Sequence, residues 1–287
     1  MSIQTISNAP AQSTDALFRV WGKAISDALT ALGITKTADT GQIDWASVTK
    51  PASASTYSGY EIRQFTDTLQ SSNPVIFKIQ YGSGSSATYP ALLITVGHAS
   101  DGAGVLTGEV TADILVACGN TSATSYTSWV TGDTGWFSMG LWSGGSNLAH
   151  TFCLERLKDT TGADTDAGVQ ATYMAGPSSG GVQRQTMLPK TGAVYGYFAI
   201  QSAMPNSGSG GYGANVGVFP VFPNLGYAGN PCLGCLLYFT ADIPRGTAIT
   251  VSMYGTNHTY IAVGDLGSST TALNGNASSH SLLVRYE

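Results

Sequence analysis

The chain has 287 residues, 43% of them hydrophobic, which suffices for one large core or a core with an appendage. Only 10% are Asp, Glu, Lys or Arg, against about 25% in a typical soluble domain. With a net charge of −5 and no cluster of Lys or Arg to displace counterions, electrostatic binding of nucleic acid is excluded.

So little charge leaves a free surface sticky, so a covering of partners or a coat of Ser, Thr, Asn and Gly is expected. No apolar run approaches the roughly 18 residues a bilayer demands, so no membrane insertion is expected. Met1-Ser2-Ile3-Gln4-Thr5 lacks the pattern of a secretion signal. Cys118, Cys153, Cys232 and Cys235 are too few for a disulfide scaffold. Synthesis in a cytoplasm, with thiols reduced, is the expectation.

In chain order, residues 1–13 form a polar arm. Thr14 then suits a helix N-cap, with Asp15 near the positive end of the helix dipole. Leu17, Trp21, Ala24, Ile25, Ala28, Leu29 and Leu32 recur at spacings of three and four, one stripe of an amphipathic helix. Gly33 stands where a left-handed C-terminal residue is expected, and Gly22 is a blemish of about 1 kcal/mol against Ala. The stripe must dock on the β region or on another chain. Leu17, Trp21, Ile25 and Leu29 are expected at a subunit interface, with residues 1–58 as an assembly anchor. Residues 41–48 carry near-alternating apolar side chains, and 51–58 form a small-residue linker.

From residue 59 onward, short β-branched and aromatic runs alternate with Gly, Ser, Asn and Asp clusters. The runs fall at 60–65, 75–81, 91–96, 112–118, 136–141, 151–157, 168–174, 193–200, 217–222, 235–239, 248–253, 260–263 and 282–286. With no helices between them, the expected fold is mainly β: an antiparallel sandwich, jelly-roll-like, over residues 59–287, as one unit or as two sub-sheets. Polar residues alternate within many runs, as in Phe77-Lys78-Ile79-Gln80-Tyr81, so one sheet face is expected to be solvated or pressed on a neighbour. Asp101-Gly102, Asn120 and Asp133 supply hairpin turn chemistry. Residues 203–213 form a long Gly/Ser loop bearing Tyr212, of the length that is either simply mobile or ordered by a partner.

Candidate chemistry is sparse. Cys232-Leu233-Gly234-Cys235 has metal or redox spacing, but opens a β run and lacks a second ligand pair; buried thiols are the plainer reading. His98, His150, His258 and His280 are isolated and read as surface or edge residues. Gly82-Ser83-Gly84-Ser85 and residues 206–210 are turn composition, not a nucleophile elbow. Asp159, Asp164 and Asp166 hint at calcium but read better as a solvated turn. Tyr126, Trp129, Trp136 and Trp142 crowd one stretch, as core, interface or sugar-stacking rings. No catalytic residue, cofactor or metal is expected.

Ala31-Leu32-Gly33-Ile34-Thr35-Lys36-Thr37-Ala38-Asp39-Thr40-Gly41-Gln42-Ile43-Asp44-Trp45-Ala46-Ser47-Val48 resembles a family of virion proteins from tailed bacteriophages. The resemblance continues through Gly59-Tyr60-Glu61-Ile62-Arg63-Gln64-Phe65, then Phe77 to Gly84, then Leu154 to Asp164, spanning about residues 14–170. It implies a place in the particle (tail, collar or neck, baseplate or head surface) among other virion proteins and other copies of the chain. A trimer or a hexamer-related ring is the expected symmetry. It carries no catalytic residues. A second expectation, from a different class, is a lectin-like fibre module stacking host surface glycan on Trp142 and Tyr212. A cell-wall hydrolase ranks third, because no facing carboxylate pair can be nominated.

Overall fold

The computed structural model describes residues 4–8, 14–117, 126–143, 149–174, 183–193, 195–199, 217–220, 233, 235–239, 247–265 and 280–285. In chain order the elements are β1 (Gln4–Asn8), α1 (Asp15–Ala31), β2 (Thr35–Lys36), β3 (Tyr57–Gln64), β4 (Ile76–Ser83), β5 (Pro90–Ser100), β6 (Leu106–Val110) and β7 (Ile114–Ala117). There follow β8 (Tyr126–Asp133), β9 (Trp136–Ser143), β10 (Ala149–Lys158), β11 (Asp164–Met174), β12 (Gln183–Pro189) and β13 (Tyr195–Ala199). The last are β14 (Gly217–Pro220), β15 (Cys235–Phe239), β16 (Ala248–Met253), β17 (Thr256–Asp265) and β18 (His280–Arg285).

Among the described residues the protein is mainly β, with one helix and every strand pair antiparallel, as the alternation of short runs and turns leads one to expect. These strands form three sheets. The front sheet runs β2-β3-β4-β5-β6 with β7 also on β5; the middle sheet runs β1-β8-β9-β10-β11-β12-β13; the back sheet runs β14-β15-β18-β17-β16. Front and middle sheets are largely meanders rather than the crossed order of a jelly roll. Only the back sheet has a Greek-key step, where β15 lies beside β18.

Helix α1 begins as its sequence dictates: Thr14 accepts from the Leu17 amide at 3.2 Å. It ends with Gly33 at φ +85°, the Ile34 amide reaching back to Leu29 O. The helix is wedged between front and middle sheets. Trp21, Ile25 and Leu29 join Phe77, Ile79 and Ile94 of the front sheet and Val130, Phe137 and Phe152 of the middle sheet in one core. Phe77 and Phe137 meet across the sheets at 4.9 Å between ring centroids. Gly22 is no blemish: a Cβ there would lie 2.0 Å from the Trp45 ring, so only glycine lets that indole lie against the helix.

This placement corrects the expected interface. Trp21, Ile25 and Leu29 face their own chain's sheets, and Trp21 Nε1 donates to Ser128 Oγ of β8 at 2.8 Å. Leu17 is half-buried at the first turn. Nor does the core divide at residue 58: α1 shares its core with the sheets, β2 pairs with β3, and β1 pairs with β8. A stripe of large apolar side chains is covered by whatever lies nearest, and the chain's own strands do it.

The middle sheet is buried on both faces. Toward α1 it presents Val130, Phe137, Met139, Phe152 and Leu154; on the opposite face Thr131, Ser138, Thr151, Cys153, Glu155, Gln170 and Thr172 are equally buried. The alternating polar residues are therefore covered, at least in part, by the back sheet. Glu155 accepts from the Leu233 amide at 3.1 Å, Thr131 donates to Arg285 O, and the Arg285 guanidinium lies over the Trp136 ring.

Candidate functional site

The densest chemistry lies where α1, the turn at residues 44–47 and strand β3 converge. Asp44 shapes that turn, accepting from the Ala46 amide and the Ser47 hydroxyl, and so presents Trp45 inward over Gly22. Period-two alternation then puts Glu61 and Arg63 on the same face of β3, toward the helix.

Glu61 is fully buried and takes five donors. Its Oε1 accepts from Ser26 Oγ (2.7 Å), Trp45 Nε1 (2.9 Å) and Lys36 Nζ (2.6 Å). Its Oε2 accepts from Arg63 Nε (2.8 Å) and the Tyr81 hydroxyl (3.1 Å). Burial alone would raise its pKa; the charges of Arg63 and Lys36 and the bond from Ser26 outweigh that and hold it below the usual carboxylate range. Burial first, and the Glu61 charge second, push the Tyr81 phenol well up.

Arg63 is as completely matched. Beside Glu61, it donates to Ser26 O, Ser26 Oγ, Thr30 Oγ1 and Ile34 O, so its fork of donors is fully engaged. No basic residue lies in the last turn of α1. Arg63, from another element, brings the cation that the helix's negative end favours.

Above this knot lies an open groove of about 490 Å³, lined by Lys23, Asp27, Thr30, Lys36, Asp44 and Trp45. Lys36 forms the wall between groove and Glu61. The arrangement holds a helix on a sheet. It offers no proton to move, because the carboxylate is anionic, saturated and unexposed.

A second buried arginine does similar work. Arg156 of β10 grips both Asp67 carboxylate oxygens and Asn73 O, tying the loop between β3 and β4 to the middle sheet. His98 of β5 adds another tie, its ring nitrogens 2.7 Å from Pro74 O and 2.9 Å from Pro189 O.

Of the other residues singled out from sequence, Trp142 lies on β9 opposite Thr127 and Ala149. Its side chain, like all of Tyr212, Cys118 and Cys232, lies outside the described residues. Cys153 is a buried free thiol in the middle sheet, and Cys235 is on β15. Trp129 and Trp136 are buried, on the core side of the choice left open for them.

His150 and His258 are not the surface residues expected: both are buried, and His150 Nδ1 lies 2.9 Å from the Tyr173 hydroxyl. Asp159 closes a turn between β10 and β11 through Thr161 and Ala163, while Asp164 pairs with Lys158 and Asp166 with Lys190. Among the described residues no group of three potential ligands converges on a metal position.

Sequence reasoning passed over Glu61 and Arg63 as chemistry. The signal was present: two opposite charges at alternate positions on a strand whose neighbours are core residues. No protein-family model and no curated protein matches the chain.

Proposed function

We propose that the chain is a structural subunit of a tailed-bacteriophage particle, built in as multiple copies beside other virion proteins, with a mechanical rather than a catalytic task. A tail, collar, baseplate or head-surface position fits this reading. The observation that carries it is where the charge goes. Twelve Lys and Arg and seventeen Asp and Glu serve 287 residues, and several of them are consumed inside. Glu61, Arg63 and Arg156 are locks between elements, leaving the exterior short of the ions that keep free monomers apart. The same locks cross-tie helix, front sheet and middle sheet, as a subunit under mechanical load requires.

Mass spectrometry of purified particles tests the proposal. The chain is expected in them at a multiple of a single-copy protein. Its absence from particles, with full-length chain in the same lysate, would sink the reading.

A further inference from the structure

Among the described residues, the back sheet ends in an open edge. Strand β16 pairs with β17 in unbroken register from Ala248↔Ile261 to Met253↔Thr256, closed by Tyr254 and Gly255, both at positive φ (53° and 72°). That is a two-residue turn of the mirror-image type, which makes Met253 and Thr256 a hydrogen-bonded pair. Alternation then turns the N–H and C=O groups of Met253, Val251 and Ile249 toward β17. Those of Ser252, Thr250 and Ala248 point away, at the sheet's edge.

Two edges of the front sheet carry protection. Strand β6 has Glu109, Gly108 at φ +80° and a register shift against β5; β2 is two residues long and bears Lys36. Strand β16 has no charge, no proline, no glycine and no bulge. Ala248, Thr250 and Ser252 are exposed, while Ile249, Val251 and Met253 pack on Tyr260 and Leu283.

The strand also reads nearly the same in both directions. Around Thr250, the residues on either side are Val251 and Ile249, then Ser252 and Ala248: β-branched apolar, then small. An antiparallel partner of identical sequence, centred on Thr250, places every outward N–H and C=O opposite its complement. Thr250 meets Thr250, Ala248 meets Ser252, and Ile249 meets Val251, with no like charges opposed.

We infer that β16 is a self-pairing edge: two copies of this chain join across a two-fold axis at Thr250, fusing their back sheets into one continuous sheet. The occupant is a second copy because the strand is its own complement in shape, polarity and register. The contact is isologous and closes on itself, giving dimers rather than fibres. This deepens the many-copy reading above and rests on it only in expecting copies to meet.

The full-length chain, studied by sedimentation across a concentration series, tests the inference. The wild type is expected to dimerise. Thr250→Lys and Thr250→Glu, each at an exposed site that leaves the fold intact by circular dichroism, should each raise the dimer dissociation constant by about tenfold or more. An equal mixture of the two variants should recover dimer.

Register is read by cross-linking. Thr250→Cys should form a disulfide between copies, since hydrogen-bonded partners sit about 5.5 Å apart at Cα. Ser252→Cys should link only with Ala248→Cys. A wild type monomeric at every concentration, dimers indifferent to Thr250→Lys, or cross-linking indifferent to position would overturn it. Each of those results leaves the presence of the chain in particles, read by mass spectrometry, untouched.

Discussion

The two faces of the middle sheet are built on opposite terms. Toward α1 the sheet offers Phe137, Phe152, Leu154 and Val169, a dry aromatic and aliphatic interior closed by the Glu61–Arg63 knot. Toward the back sheet it offers Thr131, Ser138, Thr151, Cys153, Glu155, Gln170 and Thr172, equally buried but mostly polar, with Trp129 and Trp136 set among them. Burial is therefore not the same as hydrophobic drive. The front interior draws its stability from area removed from water and from a fully matched ion pair; the back interior exchanges water hydrogen bonds for internal ones, at small net gain.

Breaking the front interior should cost most. Arg63→Met leaves the buried Glu61 carboxylate with Lys36 as its one remaining cation and should destabilise by about 3–5 kcal/mol in chemical denaturation, with Arg63→Met plus Glu61→Gln costing less than Arg63→Met alone. The pH sign follows from the depressed Glu61 value. Its contribution is present above the unfolded carboxylate's pKa and lost as pH falls through the folded one, and Arg63→Met should flatten that acid limb.

Phe137→Ala, at the meeting of three aromatic rings, should cost about 3–5 kcal/mol by the same measurement. Gly22→Ala should also destabilise, by about 1–3 kcal/mol, although helix propensity alone favours it. A gain in melting temperature would show that Trp45 moves aside freely.

His150 provides a pH handle at the rim. Burial lowers its pKa from the usual 6.5 to about 4, so the unfolded chain binds its proton first. Stability should be flat above that unfolded value and fall as pH drops toward about 4, by roughly 1.4 kcal/mol per unit of depression. His150→Phe should remove that slope, read from denaturation midpoints across the range.

The smallest effect belongs to the polar face. Thr151 Oγ1 is buried and finds no hydrogen-bond partner among the described residues. Thr151→Val keeps the shape, discards the stranded hydroxyl, and should stabilise by about 1 kcal/mol. A loss of that size would reveal a bond to that hydroxyl.

The same contrast explains what the sequence discloses. Helix α1 is legible to its caps because Thr14, Gly33 and the apolar stripe are local signals. Strands at 76–83 and 149–158 stand out because one face is apolar. Strands β8 (Tyr126–Asp133) and β12 (Gln183–Pro189) do not, being rich in Ser, Thr, Gln and Gly. Their burial depends on a third layer that no local pattern announces. Where α1 docks was equally hidden: an amphipathic stripe states that it needs cover, not whose. The knot at Glu61 needs Ser26, Lys36, Trp45 and Tyr81 at once, a convergence that only the folded chain displays.

That long reach has a price in time. The Trp21 indole finds its Ser128 partner 107 residues further along the chain. At ribosomal speeds of about 5–20 residues per second, α1 emerges and then waits roughly 5–20 s before the middle sheet can cover its side of the apolar stripe. Nascent chains of this protein should therefore be clients of holding chaperones until β8 leaves the ribosome, and truncations before residue 128 should be recovered bound to them or aggregated.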